Sequence, residues 1–308
     1  MTALAALIAV TAVWGVTFVQ VKDAVKLYPL LAFLAVRFVL ATAALAVPAA
    51  ARVPALGRRG AGAAATLGLL LATGYVLQTA GLERTTVSGT GFVTGLYVVL
   101  TPLIALALFR TRIGVAAWLG VALSTVGLAM LAGIHSGSAA GDLLVLAASA
   151  VYSLQIVLME RFAPRYDALA FTLVEMAAAA AGLLIVAAAH GDLGVPRGGT
   201  VWGALIVTGV FASALAYFVQ TWAQRRTSAT RTALAFTMEP VFTALFGFTL
   251  AGDRLGAVGW GGCAAIMVGI LLAEPAAGSV LVSAVAYTRG SRGRFPPTRR
   301  PGRSVPPE

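Results

Sequence analysis

The stretch YVLQTAGLERTTVSGT, residues 75–90, has a near-copy in YFVQTWAQRRTSATRT, residues 217–232. At this shift of 142, Tyr75/Tyr217, Gln78/Gln220, Thr79/Thr221, Arg84/Arg226, Thr85/Thr227 and Thr90/Thr232 are identical. Ala and Leu match by chance in any apolar chain, but Tyr, Gln, Arg and Thr do not fall into one order that way. The register continues to Arg112/Arg254, Gly114/Gly256, Trp118/Trp260 and Gly127/Gly269. Upstream, a shift of 138 lays LAFLAVRF (31–38) over LAFTLVEM (169–176) and Trp14 over Tyr152. A four-residue difference in one loop separates the two registers. The chain is a tandem duplication.

The solvent of the two copies follows from composition. Of 308 residues, 59% are hydrophobic and 11% charged, with a mean hydropathy of +0.91; a typical soluble domain carries roughly 25% charged residues. No soluble core of this length could bury so much apolar surface. Ala and Gly are abundant and aromatics sparse, as expected where helix backbones approach closely in lipid. The period-two alternation of a membrane barrel is absent. The apolar runs are instead about 20 residues long, the length of a spanning helix.

Ten such runs are expected, near 3–21, 30–51, 62–81, 86–109, 114–133, 140–159, 168–189, 200–222, 230–251 and 256–273. Short connections suggest that sequential helices are spatial neighbours. The expected fold is an all-α membrane protein of ten transmembrane helices in two five-helix repeats, residues 1–135 and 136–273. An odd number of spans per copy forces the second to enter the membrane upside down. Such inverted repeats are an architecture of secondary transporters, because two like halves of opposite orientation can exchange conformations.

Basic residues set the orientation. With the N-terminus in the cytoplasm, the inner segments hold Arg52, Arg58, Arg59, Arg110, Arg112, Arg161, Arg165, Arg225, Arg226 and Arg231, together with six tail arginines. The outer segments hold only Lys22, Lys26, Arg84, Arg197 and Arg254. Both termini are therefore expected on the cytoplasmic side. No basic n-region precedes the first apolar run, which reads as a retained span. Residues 274–308 are Pro/Gly/Arg-rich and read as a disordered basic cytoplasmic tail. The net charge of +11 does not indicate nucleic acid as a partner, since its arginines lie in that tail and between apolar runs. All basic residues but Lys22 and Lys26 are Arg, a usage that fits a high-GC bacterial genome and hence a bacterial inner membrane. The single cysteine, Cys263, excludes a disulfide framework.

WGVTFVQVKDA (14–24), LAFLAVRFVLA (31–41), GLERTTVSGTGFVTGLYVVLTPLIAL (81–106) and AQRRTSATRTALAFTMEPVFTALFGFTLAGDRL (223–255) together resemble the EamA-type drug/metabolite transporters. The resemblance covers residues 1–273. It implies ten helices in two inverted five-helix repeats, a central substrate cavity and, often, export of amino acids or related metabolites. The family usually has Gly-Glu after the ninth helix; Gly252–Asp253 stands here and keeps the charge.

Polar residues within the runs are the candidate site. Thr90, Thr94, Tyr97 and Thr101 share one helical face, and Thr232, Phe236, Glu239 and Thr243 repeat that spacing in the ninth run. Pro102 and Pro240 each free a carbonyl one turn back, at Val98 and Phe236. Glu239 is either a ligand for an amino group or proton, or a packing residue hydrogen-bonded to a neighbouring helix. Alone and ionised in lipid it would cost roughly 2.5–3.5 kcal/mol, so a cation, a proton or a wet cavity must accompany it. Arg37 and Glu175 occupy equivalent positions with opposite signs. They either bridge the two halves, or Arg37 binds a substrate carboxylate while Glu175 pairs elsewhere. Tyr75, Gln78 and Thr79, with Tyr217, Gln220 and Thr221, either bind substrate or glue helices. Trp14 and Tyr152 either wall the cavity or pack. Trp118, Trp260 and the glycines of spans five and ten form a packing face that a second copy of the chain could share.

An enzyme is not expected. H-E-x-x-H and G-x-S-x-G are absent, no His falls within a run, and no two acidic residues lie closer than seven positions. His135 and His190 stand alone in loops, so neither a metal nor any other cofactor is expected. The expected function is secondary-active transport of small organic metabolites such as amino acids or amine-bearing compounds, outward-directed, with a lipid flippase or channel-like facilitator as alternatives.

Overall fold

The computed structural model describes residues 2–132, 138–250 and 256–273; His135, Gly252, Asp253 and the basic tail lie outside these. The described residues form helices and connecting turns. Each expected apolar run is helical: α1 (Ala3–Leu27), α2 (Leu30–Ala49), α3 (Gly57–Leu82), α4 (Val87–Gly95) with α5 (Tyr97–Phe109), and α6 (Val115–Ala132) in the first copy. The second copy holds α7 (Ala139–Phe162), α8 (Ala168–His190), α9 (Gly199–Ile206) with α10 (Ala216–Gln224), α11 (Ala229–Phe236) with α12 (Met238–Leu250), and α13 (Ala257–Leu272). Side-chain oxygens cap the N-termini: Thr2, Thr86, Ser138 and Ser228 each accept one backbone N–H, and Asp167 accepts those of Leu169 and Ala170.

Two runs are broken one residue apart in the repeat register. Thr237, between α11 and α12, has ψ −7° and its N–H bonds to Leu234 three residues back. Pro240 explains this break, because it leaves the Phe236 carbonyl without its helical donor. Leu96, between α4 and α5, has ψ −9° and bonds to Val93. Here Pro102 is not the cause: it lies inside α5, and the break falls before Val98, among the glycines of α4. A third irregularity was not legible from periodicity. Residues 207–215, between α9 and α10, form a π-helix, whose wider turn leaves carbonyls and side chains available for outside partners.

The solvent pattern is inverted relative to a soluble protein. Large apolar side chains face outward, Val47 being 93% exposed and Ile185 70%. Arg37, Gln155, Glu175, Gln220 and Thr101 are buried. Among the described residues, five helical stretches are long and apolar enough to cross a membrane, Leu30–Leu82, Gly89–Phe109, Ala139–Arg165, Ala168–His190 and Gly199–Gln224.

Packing departs from the sequential-neighbour expectation. The most extensive contacts join the two copies, α6 with α13, α3 with α7 and α8, and α2 with α8. Small residues explain why. A Cβ on Gly68 of α3 would lie 2.1 Å from the Glu175 carbonyl oxygen on α8. On Gly120 of α6 it would lie 2.5 Å from the Gly269 carbonyl, and on Gly127 2.6 Å from that of Gly262. Only glycine permits these approaches, so the helix pairs meet across the copies. Since Gly120 faces Gly269 and Gly127 faces Gly262, α6 and α13 run antiparallel. Gly262 and Gly269 are also the repeat equivalents of Gly120 and Gly127, so the contact is reciprocal, as between two like surfaces related by a two-fold axis.

Candidate functional site

A cavity opens between the copies. Its walls come from Trp14, Thr17 and Val21 on α1, Arg37 on α2, Tyr75, Gln78 and Thr79 on α3, Thr94 on α4 and Tyr97 on α5. The second copy supplies Tyr152, Gln155 and Ile156 on α7, Tyr217 and Gln220 on α10, Phe236 on α11 and Glu239 on α12. Its volume at water-molecule centres is ≈ 70 Å³, room for about five to seven waters or one small organic molecule.

Aromatic rings form a continuous wall. Trp14 packs edge-on against Phe236 at 4.9 Å and lies 5.9 Å from Tyr217; Tyr97 meets Phe236 at 6.2 Å, and Tyr75 meets Tyr152 at 5.7 Å. Tyr75 and Tyr217, equivalent residues of the two copies, meet hydroxyl to hydroxyl at 3.1 Å. Their hydrogen bond therefore joins equivalent positions of the two copies.

Arg37 is clamped without a carboxylate. Its Nε donates to Ser213 Oγ at 2.9 Å, an Nη donates to the Tyr75 hydroxyl at 3.1 Å, and the guanidinium lies 4.4 Å from the Tyr75 ring centroid. Ser213 belongs to the π-helical segment, whose Ala212 carbonyl accepts the Trp14 Nε1–H at 2.8 Å. The irregular turn thus fixes one cavity wall and the cavity's only described cation. Among the described residues the ion pairs are Lys26–Asp23 and Arg52–Asp167. The Arg37–Glu175 bridge considered from the repeat does not form. Glu175 instead accepts from Gln155 Nε2 at 2.9 Å, outside the cavity wall. The two residues are equivalent in the repeat, but Arg37 turns toward Ser213 and Tyr75 and Glu175 toward Gln155.

Glu239 lies on the cavity, 8% exposed. Its polar neighbour is the Tyr97 hydroxyl. No cation of the described residues pairs with Glu239. The cavity therefore presents one carboxyl without a cation partner and one cation free of carboxylates, separated by aromatic surface.

The pattern of the EamA-like transporter family matches residues 1–133 and again residues 139–273. The chain belongs to the EamA-like transporter family. It is 27% identical over 266 residues to an uncharacterized transporter of Archaeoglobus fulgidus, the match covering 85% of this chain and 82% of that protein. A solved crystal structure shares the fold with a TM-score of 0.75 at 19% identity, over 89% of this chain and 98% of that one. This EamA-like chain is thus a multi-pass membrane transporter rather than an enzyme.

The candidate residues divide within the transporter. Trp14, Arg37, Gln78, Thr94, Tyr97, Tyr152, Gln220 and Glu239 line the cavity. Gln78 joins two walls, accepting from the Tyr152 hydroxyl at 3.1 Å and donating to Thr94 Oγ1 at 3.0 Å. Thr90, Thr101, Thr232, Thr243 and Glu175 do not line it. Thr90 and Thr232 return their hydroxyls to carbonyls four residues back. Thr243 bonds to the Glu239 carbonyl at 3.0 Å and the Gly15 carbonyl at 3.2 Å, tying α12 to α1. The split follows position along the two stripes: Thr94, Tyr97, Phe236 and Glu239 stand in the middle and line the cavity, while Thr90, Thr101, Thr232 and Thr243 stand at the ends and lie beyond it. Thr17, Gln155 and Phe236 joined no candidate set as ligands, although Gln155 follows Tyr152 by three positions and shares its face. Ser213 carried no sequence signal, because its role comes from the π-helical turn.

Proposed function

We propose that this transporter moves small metabolites bearing both an amino and a carboxylate group, by alternating access of two inverted repeats, outward across a bacterial inner membrane. The observation that carries the proposal is a cavity between the copies that holds Glu239 and Arg37 with neither paired to an opposite charge. Glu239 would take the ammonium and Arg37 the carboxylate. Bidentate carboxylate binding suits the planar guanidinium, and the aromatic wall would take the apolar remainder. Thr94, Gln78, Gln220 and Tyr152 supply neutral hydrogen bonds.

Ten crossings and inversion are part of this proposal. The continuous helical stretch Leu30–Leu82 has 53 residues, about 80 Å at 1.5 Å each, too long for one crossing of a hydrocarbon core of about 30 Å. Gly57, at φ +62°, is the place where it would turn back. The antiparallel, reciprocal contact of α6 with α13 also favours inverted halves, with residues 1–135 and 136–273 as the repeats. Both termini and the arginine-rich tail would then be cytoplasmic. The glycine faces of α6 and α13 are consumed by one another, so a second copy would dock on their outer faces, where Val115, Leu119 and Val258 are exposed.

A cavity of this size favours a small substrate over a flippase's lipid. Counterflow in proteoliposomes tests the proposal: purified protein preloaded with unlabelled amino acids should accumulate the labelled compound transiently and saturably. Conduction without saturation would identify a channel-like facilitator and overturn the carrier mechanism.

A further inference from the structure

We propose that Glu175 is a proton-binding site separate from the substrate cavity and joined to it by the carboxamides of Gln155 and Gln220. The inference rests on the carrier function proposed above and supplies its coupling ion.

Glu175 is fully buried in α8. Its Oε1 accepts from Gln155 Nε2 at 2.9 Å, while Oε2 is buried without a hydrogen-bond partner. Gln155 Oε1 in turn accepts from Gln220 Nε2 at 3.0 Å, and Gln220 Oε1 is also buried and unpartnered. Both glutamines line the cavity. A carboxyl thus stands one side chain behind the substrate wall, reached through two amides, with two orphan acceptors along the way. Each of those acceptors could take a hydrogen bond from an internal water, and one at Oε2 would carry the proton to it.

The charges around this carboxyl are accounted for element by element. On α7, Asp142 accepts from the Thr85 hydroxyl, Tyr152 donates to Gln78, Glu160 accepts from the Ala229 N–H and Arg161 lies over the Phe109 ring. Arg37 on α2 is held by Ser213 and Tyr75. Arg52, in the turn before α3, pairs with Asp167 at the first turn of α8. Arg58 and Arg59 at the start of α3 are exposed. Tyr75 on α3 and Tyr217 on α10 bond to each other. The π-helical segment brings no titratable group. A carboxylate walled off in this way has one amide donor and no cation to offset its desolvation, so the neutral acid is the form this site accommodates. The Gly68 contact with the Glu175 backbone carbonyl keeps α3 against α8. Proton exchange in this proposal runs to the cavity side, where Gln155 and Gln220 are hydrogen-bonded in line with the carboxyl. The step is a plain protonation: water delivers H⁺ to Oε2 on one side of the membrane, and the acid returns it to water on the other.

Two measurements on the full-length protein in proteoliposomes test this. Infrared difference spectra between neutral and alkaline pH should show the C=O band of a protonated carboxylic acid. That band should be retained in Glu239→Gln and lost in Glu175→Gln. In Gln155→Leu, which keeps the carboxyl, it should shift to the position of a weakly hydrogen-bonded acid. A wild-type band in Glu175→Gln, or no band in the wild type, overturns the proposal. Second, an imposed pH gradient without sodium should drive accumulation of a labelled equimolar mixture of the common amino acids in the wild type and not in Glu175→Gln. Equal accumulation in both, or dependence on a sodium gradient, also overturns it. A wild type that shows the Glu175 band but no amino-acid counterflow would instead sink the carrier function on which the coupling rests.

Discussion

Replacing Glu239 by Gln removes the carboxyl that would carry charge opposite a substrate ammonium and leaves volume and shape nearly unchanged. The carboxyl is 8% exposed and opens on a cavity of ≈ 70 Å³ at water-molecule centres, where at most about five to seven waters can screen it. The neighbouring Tyr97 hydroxyl is neutral, and no described cation competes for the site. A substrate ammonium there would form a charge-assisted hydrogen bond, worth about 1.5–3 kcal/mol, or roughly 10- to 150-fold in affinity. Glu239→Gln should therefore weaken binding of an amino-acid substrate by that factor, read as the concentration needed to compete in counterflow. The desamino analogue of the same substrate should bind wild type and variant within about twofold, because it never used the charge. Equal affinity of both proteins for the amine-bearing compound would refute the assignment, and an equal loss for both compounds would show that Glu239 supports the cavity's shape instead.

Three further outcomes follow from the packing and the charge arrangement. Gly127→Ala and Gly262→Ala should each lower the melting temperature in detergent, by a destabilisation of about 1–3 kcal/mol, and by similar amounts. The added Cβ would lie 2.6 Å from the Gly262 carbonyl in one and 2.7 Å from the Gly127 carbonyl in the other. A neutral effect at either would refute the reciprocal contact. Arg37→Ala and Glu175→Ala should be additive in melting temperature, with coupling under about 0.5 kcal/mol, since the two side chains have separate partners; strong coupling would restore the salt bridge. Cysteines placed in residues 57–60 and 161–166 should label from the same, cytoplasmic side, and labelling from opposite sides would break the inverted-repeat topology.

Much of the fold was legible because helices in lipid declare themselves locally. Each apolar run is as long as a bilayer is thick, and each is helical here. The duplication was legible because Tyr75/Tyr217 and Gln78/Gln220 are types that apolar drift does not produce. Half of the site followed from the same reasoning. A polar side chain in the middle of a span must face protein or water, and Arg37, Gln78, Gln220 and Glu239 do. Thr90, Thr101, Thr232 and Thr243 share a face with Tyr97 or Glu239 but miss the cavity, because a helical period fixes direction around the axis and not how far along it the cavity extends.

Sequence alone determined the helical class, the two copies and the charged and aromatic residues available to the centre, since all of these depend on near neighbours and on the choice between lipid and water. Only tertiary structure decided which helices pair across the copies, that Arg37 turns to Ser213 and Tyr75 rather than to Glu175, and that residues 207–215 widen into a π-helix. Those outcomes depend on how far glycine surfaces let two backbones close and on where each helix slides along its partner. Contacts across a sequence separation as large as the 176 positions between Arg37 and Ser213 leave no periodic trace in the chain.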